Sequence, residues 1–157
     1  MFIGRHTNKI DKKGRISVPK PFRDALGDAS ASIFVFPSFK FPALEAAPRA
    51  FIEQFVANLN ATHDLFSDDQ DDLASTVIEN THELAPDPEG RVILPKHFMD
   101  HAELGDEAVF VGRGTRFMIW SPKLYAPHNA RAVERVRARG ATLPMRSTDT
   151  TGRGDGA

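Results

Sequence analysis

Two kinds of alternation run along the chain. Between Arg15 and Val18 polar and apolar residues alternate at every position, as a half-buried strand requires. Phe51, Ile52, Phe55, Val56 and Leu59 fall instead at helical spacing and mark an amphipathic helix. Ser67 with Gln70 three residues on is a capping-box pattern that opens a second helix, with Leu73, Val77 and Ile78 as its apolar face. A third helix is expected from Ser121-Pro122, interrupted by Pro127 and continued as a basic run over residues 130–139. Val92-Ile93-Leu94 is apolar throughout, which predicts a short strand buried on both faces. Pro19 and Pro95 suit the first turn of short helices over residues 20–26 and 96–104, which Gly27 and Gly105 are expected to stop. Apolar runs 33–36 with 39–41, and 109–111 with 117–120, predict a hairpin after each short helix.

These elements occur twice in the same order. Residues 11–24 recur as residues 87–100 with Asp, Gly, Arg, Pro, Lys, Phe and Asp in step, and with Ile16 and Val18 matched by Val92 and Leu94. The echo continues, after a two-residue shift, from Leu26-Gly27-Asp28 to Leu104-Gly105-Asp106, and then from Ile33-Phe34-Val35 to Val109-Phe110-Val111. Asp87-Pro88-Glu89-Gly90 has the residues a type I turn prefers, and Asp11-Lys12-Lys13-Gly14 is the same turn without proline. A left-handed glycine closing each turn would form the bulge of a tight hairpin. A repeat of this size is marginal alone, so the two halves are expected to intertwine around one core. The reading is a mainly β fold with peripheral helices (α+β). It divides into a first repeat with its trailing helix over 1–60, an acidic helical connector over 61–83, a second repeat over 84–139 and a mobile tail over 140–157, where little can be buried.

Composition adds little until it is read by segment. The formal net charge is -1 over 157 residues. Residues 1–24, however, hold Arg5, Lys9, Lys12, Lys13, Arg15, Lys20 and Arg23 against Asp11 and Asp24 alone, whereas residues 61–90 hold nine carboxylates and no Lys or Arg. A basic hairpin beside an apolar strand can meet phosphates, and its arginines can reach guanine edges. The second turn carries Glu89 where the first has Lys13, so the first is expected to make most of the contact. Cysteine is absent, which excludes disulfides, thiolate metal sites and a thiol nucleophile. No stretch reaches the ~20 apolar residues of a membrane helix, and the opening residues lack a secretory signal layout. A cytoplasmic chain is expected.

The opening Met1-Phe2-Ile3-Gly4, the run from Asp11 to Pro19 with Phe22-Arg23, and the paired Asp11-x-x-Gly14-Arg15 and Asp87-x-x-Gly90-Arg91 motifs resemble the MraZ family. That resemblance implies an AbrB-like swapped-hairpin module in each repeat, the two forming a pseudo-dimeric, double-psi-like β-barrel. It implies a ring homo-oligomer that binds short G-rich repeats in double-stranded DNA upstream of the division and cell-wall gene cluster, repressing its own operon in the nucleoid. The family's DNA-contacting loop falls on residues 11–15, with Arg15 the leading residue and Arg91 its counterpart. Lys96, the mate of Lys20, joins the basic candidates. The two motif aspartates face phosphate unfavourably, so each either caps its own turn or orients its arginine.

Other signals point elsewhere. His97 and His101 have the spacing of two helical zinc ligands but lack the glutamate that hydrolysis uses. His63-Asp64 and His82-Glu83 suggest acid–base chemistry, yet no serine lies in a strand–turn–helix elbow. No enzyme activity, metal or cofactor is expected. Arg131, Arg135 and Arg139 read as a solvated helix face. The competing functions are a single-repeat type of AbrB-like antitoxin or transition regulator, a β-barrel scaffold without DNA contact, and a metal-dependent hydrolase.

Overall fold

Gly14 and Gly90 take φ of 80° and 78°, the left-handed backbone that a tight turn needs and that costs a glycine least. Each turn is therefore sharp enough to reverse the chain into a short strand. The computed structural model describes residues 1–28 and 30–144. Its strands are β1 (Arg5–Lys9), β2 (Arg15–Ser17), β3 (Ile33–Pro37), β4 (Leu44–Ala47), β5 (His82–Leu84), β6 (Arg91–Ile93), β7 (Glu107–Gly112) and β8 (Phe117–Trp120). Its helices are α1 (Lys20–Ala25), α2 (Arg49–Thr62), α3 (Asp68–Leu73), α4 (Lys96–His101) and α5 (Pro122–Arg139), with a wider π-helical segment (Ala74–Ile78) continuing α3. Ser67 caps α3 as its spacing predicts, its Oγ accepting from the Gln70 N–H at 3.2 Å.

The strands form an open six-stranded sheet in the order β1-β7-β8-β4-β3-β5 and a separate two-stranded ribbon, β2-β6. Exchanging every strand for its repeat mate reverses the sheet order and leaves it unchanged. The pseudo-two-fold axis passes through the Ile16–Val92 pair of the ribbon and the Glu45–Met118 pair of the sheet. Two hydrogen bonds related by this axis, Leu94 N–H to the Gly14 carbonyl at 2.9 Å and Val18 N–H to the Gly90 carbonyl at 3.0 Å, close the ribbon's ends. The opening strand of each half pairs with the hairpin of the other: β1 with β7, and β5 with β3. The halves do intertwine. The six-stranded sheet does not close on itself, because β1 and β5 stand at its two edges.

The main core lies between sheet and ribbon. Ile16, Val18, Val92 and Leu94 enter it from the ribbon side, and Ile33, Val35, Leu44, Phe110, Phe117 and Ile119 from the sheet. Phe22 of α1 and its mate Phe98 of α4 are fully buried in it, each contributing ~1.5–3 kcal/mol of burial. Each also meets the histidine of its own repeat edge-on, His6 with Phe22 at 5.3 Å and His82 with Phe98 at 5.0 Å. A smaller cluster on the sheet's other face holds Val109, Val111, Met118 and Trp120 under Leu124 and Tyr125 of α5.

Five expectations need correction. Ile93 is 60 % exposed, because among the described residues no layer covers the ribbon's outer face. The partner of β3 begins at Leu44, while residues 39–41 lie in the connecting loop. There Ser38 Oγ accepts from the Lys40 and Phe41 N–H groups and the Ser38 N–H reaches the Ala43 carbonyl at 2.9 Å, a local turn that outcompetes strand pairing. The left-handed mate of Gly27 is Glu103, at φ 50°, and not Gly105, so the two-residue shift of the echo has no structural counterpart. The third echo slips by one residue: His6 faces Phe110 while its mate His82 faces Val35, so Val35 corresponds to Phe110 and not to Val111. A one-residue slip exchanges the faces of a strand, which puts Val109 and Val111 in the smaller cluster. Finally, α5 continues through Pro127, held on both sides of it by Tyr125 and His128 against Trp120.

Candidate nucleic-acid interface

Strand alternation decides what the ribbon shows to solvent. Ile16 and Val92 point into the core, so Arg15, Ser17, Arg91 and Ile93 share the outer face, with Arg15 opposite Ile93 and Ser17 opposite Arg91. The two motif arginines thus lie diagonally across the pseudo-axis. They line one shallow groove of about 250 Å³ together with Glu83, Asp87 and Ile93. Ser17 was legible from its alternation with Arg15, and Ile93 from its place as the repeat mate of Ser17. Glu83 carries no sequence signal for this position.

Each aspartate does two things at once. Asp11 Oδ1 accepts the backbone N–H groups of Lys13 and Arg15, both at 2.9 Å, while Oδ2 accepts Arg15 Nε at 2.6 Å. Asp87 repeats this geometry with Glu89 and Arg91, with all three distances 2.9 Å. The carboxylate caps the turn and orients the arginine, so the two readings left open above both hold. The Asp11 carboxyl sits below the ordinary value of 3.8, chiefly because the Arg15 backbone N–H and then its guanidinium favour the charged form. Asp87 is lowered first by the Arg91 backbone N–H. Arg91 is raised by Asp87 and further by Glu89.

The turns differ in what surrounds this shared frame. Lys12 and Lys13 are exposed at the tip of the first, and exposed Lys9 sits at the end of β1 leading into it. In the second, Arg91 is held by Asp87 at 2.9 Å and also by Glu89 at 3.2 Å. Arg23 of α1 crosses to the second turn: a Cβ on Gly90 would fall 2.4 Å from its terminal nitrogen. Its Nε is buried without a hydrogen-bond partner among the described residues. Lys20 is paired with Asp24 at 2.9 Å, and its mate Lys96 stands 3.8 Å from Asp100 with its side chain 92 % exposed. Arg5 is not gathered with the others. It lies at the far end of β1 from the turn, over the Tyr125 ring at 5.7 Å.

The remaining candidates take structural positions. The His97 ring packs against His82 and Phe98, at 5.0 and 4.6 Å, and His101 Nε2 lies 3.3 Å from the Phe41 carbonyl. Among the described residues no three His, Asp or Glu side chains converge as a metal site. None of the described helices is long and apolar enough to cross a membrane. Most of the expected tail, residues 145–157, falls outside the described residues.

Comparison with known proteins follows the repeat. The family model described as "MraZ protein, putative antitoxin-like" matches residues 1–72 and 77–141. A protein named transcriptional regulator MraZ from Gluconacetobacter diazotrophicus is 38% identical over 148 residues, covering 92% of each chain. The protein of that name from Parvibaculum lavamentivorans is 43% identical over 139 residues, covering 86% of this chain and 84% of its own. That from Gluconobacter oxydans is 34% identical over 161 residues, covering 100% of this chain and 98% of its own.

Proposed function

The chain belongs to the MraZ family, and from that premise we propose that it is a transcriptional regulator that grips double-stranded DNA with the β2–β6 ribbon and its two Asp-x-x-Gly-Arg turns. The observation that carries this reading is the placement of Arg15 and Arg91 on one exposed ribbon face, each pre-oriented by its aspartate. A two-stranded ribbon fits the major groove, where an arginine fork matches the acceptors of guanine. Lys9, Lys12 and Lys13 flank Arg15 as phosphate contacts, which fix position without reading sequence. Arg23, Lys20 and Lys96 lie further along the turns and helix starts and contribute less, and Arg91, on the same ribbon face as Arg15, is weakened as a contact by Glu89 beside it.

The wider reading follows the family resemblance. The two halves act as AbrB-like swapped-hairpin modules in a pseudo-dimeric barrel, in one chain of a ring homo-oligomer. The ring binds short direct repeats upstream of the division and cell-wall gene cluster and represses its own operon, in the cytoplasm at the nucleoid. Several loops meeting adjacent repeats would gain by effective concentration what one loop lacks. The test is a gel-shift titration on the DNA just upstream of the gene, at two salt concentrations, with wild type and Arg15→Ala. Salt-sensitive binding by the wild type with strong loss in the variant is expected. Equal binding by both removes Arg15 from the interface, and no specific binding by either returns the fold to an interaction scaffold.

A further inference from the structure

On the face of the sheet opposite the ribbon, a cleft of about 450 Å³ opens between α2 with its π-helical neighbour and α5, over the β4–β8 seam. Its two walls differ in chemistry. One is apolar, built from Phe55 of α2, Val77 and the buried Phe36. The other carries Arg113 and Arg135, with Lys40 on the rim. Among the described residues none of these three cations forms an ion pair. The carboxylate in the cleft, Glu45, is already held by Arg116 Nε at 2.9 Å. Three cations without a carboxylate partner among the described residues, Lys40 of them resting over the Phe41 ring at 5.3 Å, therefore face an apolar wall across a space within the ~300–1,000 Å³ range of small-molecule sites.

The positive field is felt by a neighbouring group. The His128 imidazole, also lining the cleft, is pushed below its ordinary value of 6.5 by burial first and then by Arg113, Arg131 and Arg135. His128 stacks on Trp120 at 4.4 Å, and Phe41 of the cleft lies 5.7 Å from the same indole.

We propose that this cleft binds a small soluble anion with an apolar body: a carboxylate or phosphate carried on an alkyl or aryl group. The apolar body lies against Phe55, Val77 and Phe36, and the anion meets Arg113, Arg135 and Lys40. Neither half of such a ligand suffices. A bare anion leaves the half-buried Phe55 ring wet, and a neutral alkane derivative leaves the guanidinium groups without an anion. The inference is independent of DNA binding, since the cleft and the ribbon occupy opposite faces of the sheet.

Trp120 is the chain's single tryptophan, so its emission reports on the cleft without labelling. The experiment titrates the full-length protein with decyl phosphate, inorganic phosphate and decanol, and follows Trp120 emission with calorimetry in parallel. A saturable response to decyl phosphate is expected, with the other two at least about tenfold weaker. The double variant Arg113→Ala/Arg135→Ala should weaken decyl phosphate by about tenfold or more, as loss of charge-assisted hydrogen bonds does. Both arginines are exposed, so the variant keeps its fold, which circular dichroism checks. Equal binding of inorganic phosphate reduces the cleft to a simple anion patch and overturns the proposal. Equal binding of decanol, an unaffected double variant, or no saturable binding because another copy covers the cleft overturns it equally.

Discussion

Gly90→Ala separates the two things that glycine does. Its φ of 78° is a backbone conformation that alanine enters at ~1–2 kcal/mol. A Cβ there also lands 2.4–2.8 Å from the Nη1, Cδ and Cζ atoms of Arg23, so that side chain must leave its position. Moving it off its rotamer costs ~0.5–1.5 kcal/mol, while the stiffer unfolded chain returns ~0.4–1 kcal/mol. The sum is a loss of about 2 kcal/mol, or a Tm lower by about 4–8 °C for a chain of this size. In an Arg23→Ala background the obstruction is gone and only the backbone part remains, about 1 kcal/mol. Gly14→Ala is the control. Its φ is 80°, but its obstacle is the Leu94 carbonyl oxygen at 3.0 Å, which is backbone and cannot swing away. Its cost should therefore be the same with or without Arg23. Urea unfolding of the four Gly90/Arg23 combinations and of Gly14→Ala in both backgrounds measures all of this. If Gly90→Ala costs the same in both backgrounds, within the ~0.5 kcal/mol expected of independent sites, Arg23 does not lie on the second turn and its assignment there is wrong.

Three further outcomes follow from the site and its surroundings. Asp11 and Asp87 have folded values below 3.8, so their stabilisation is fully present above 3.8 and is lost as pH falls through the folded values; Asp11→Asn/Asp87→Asn should flatten the acid limb of a urea-midpoint-versus-pH curve, and an unchanged limb would count against the turn geometry. Phe66 is 85 % exposed at φ 72°, so Phe66→Asn relieves a left-handed backbone without losing burial and should stabilise by about 0.5–1 kcal/mol, whereas a lower denaturation midpoint would mean that the ring is packed in solution. Glu89→Lys removes the second acidic partner of Arg91 at 3.2 Å and gives the second turn the lysine of the first; DNA binding should tighten and its salt slope steepen by ~0.9 for each further phosphate neutralised, and an unchanged slope in a gel-shift series would remove the second turn from the interface.

Sequence reading reached the turns because their chemistry is local. Asp, Gly and Arg at fixed spacing determine the cap, the left-handed glycine and the oriented arginine with little help from the rest of the chain. It failed where long-range pairing decides. The one-residue slip between Ile33-Phe34-Val35 and Val109-Phe110-Val111 is invisible in the letters, because both runs are apolar throughout and either register looks hydrophobic. The exposure of Ile93 depends on there being no layer above the ribbon among the described residues, which no property of residues 91–94 encodes. Glu103 replacing a glycine at a left-handed cap is a strained choice that propensity argues against. Among the site residues, the placement of Arg23 over Gly90 crosses from one repeat to the other and had no local signal at all, while Arg5 looked like its basic neighbours until β1 carried it to the opposite end.

Symmetry in the backbone and asymmetry in the charge have different origins here. Register, turn and hydrogen bonds repeat across the pseudo-axis because Ile16–Val92 and the two left-handed glycines must match for the ribbon to close over the core. No such constraint acts on the turn tips, which are solvent-exposed, so Lys12-Lys13 in one and Pro88-Glu89 in the other are free to differ. The consequence falls on the arginines. Among the described residues Arg15 is paired with Asp11 alone, whereas Arg91 is engaged by two carboxylates, and the second negative charge, on Glu89, opposes the approach of a phosphate to its free N–H groups. Under the proposed function each chain therefore presents one ready contact and one restrained contact on the same rigid ribbon. High affinity then has to come from several chains acting together, because a single ready loop makes too few phosphate contacts to hold DNA against physiological salt.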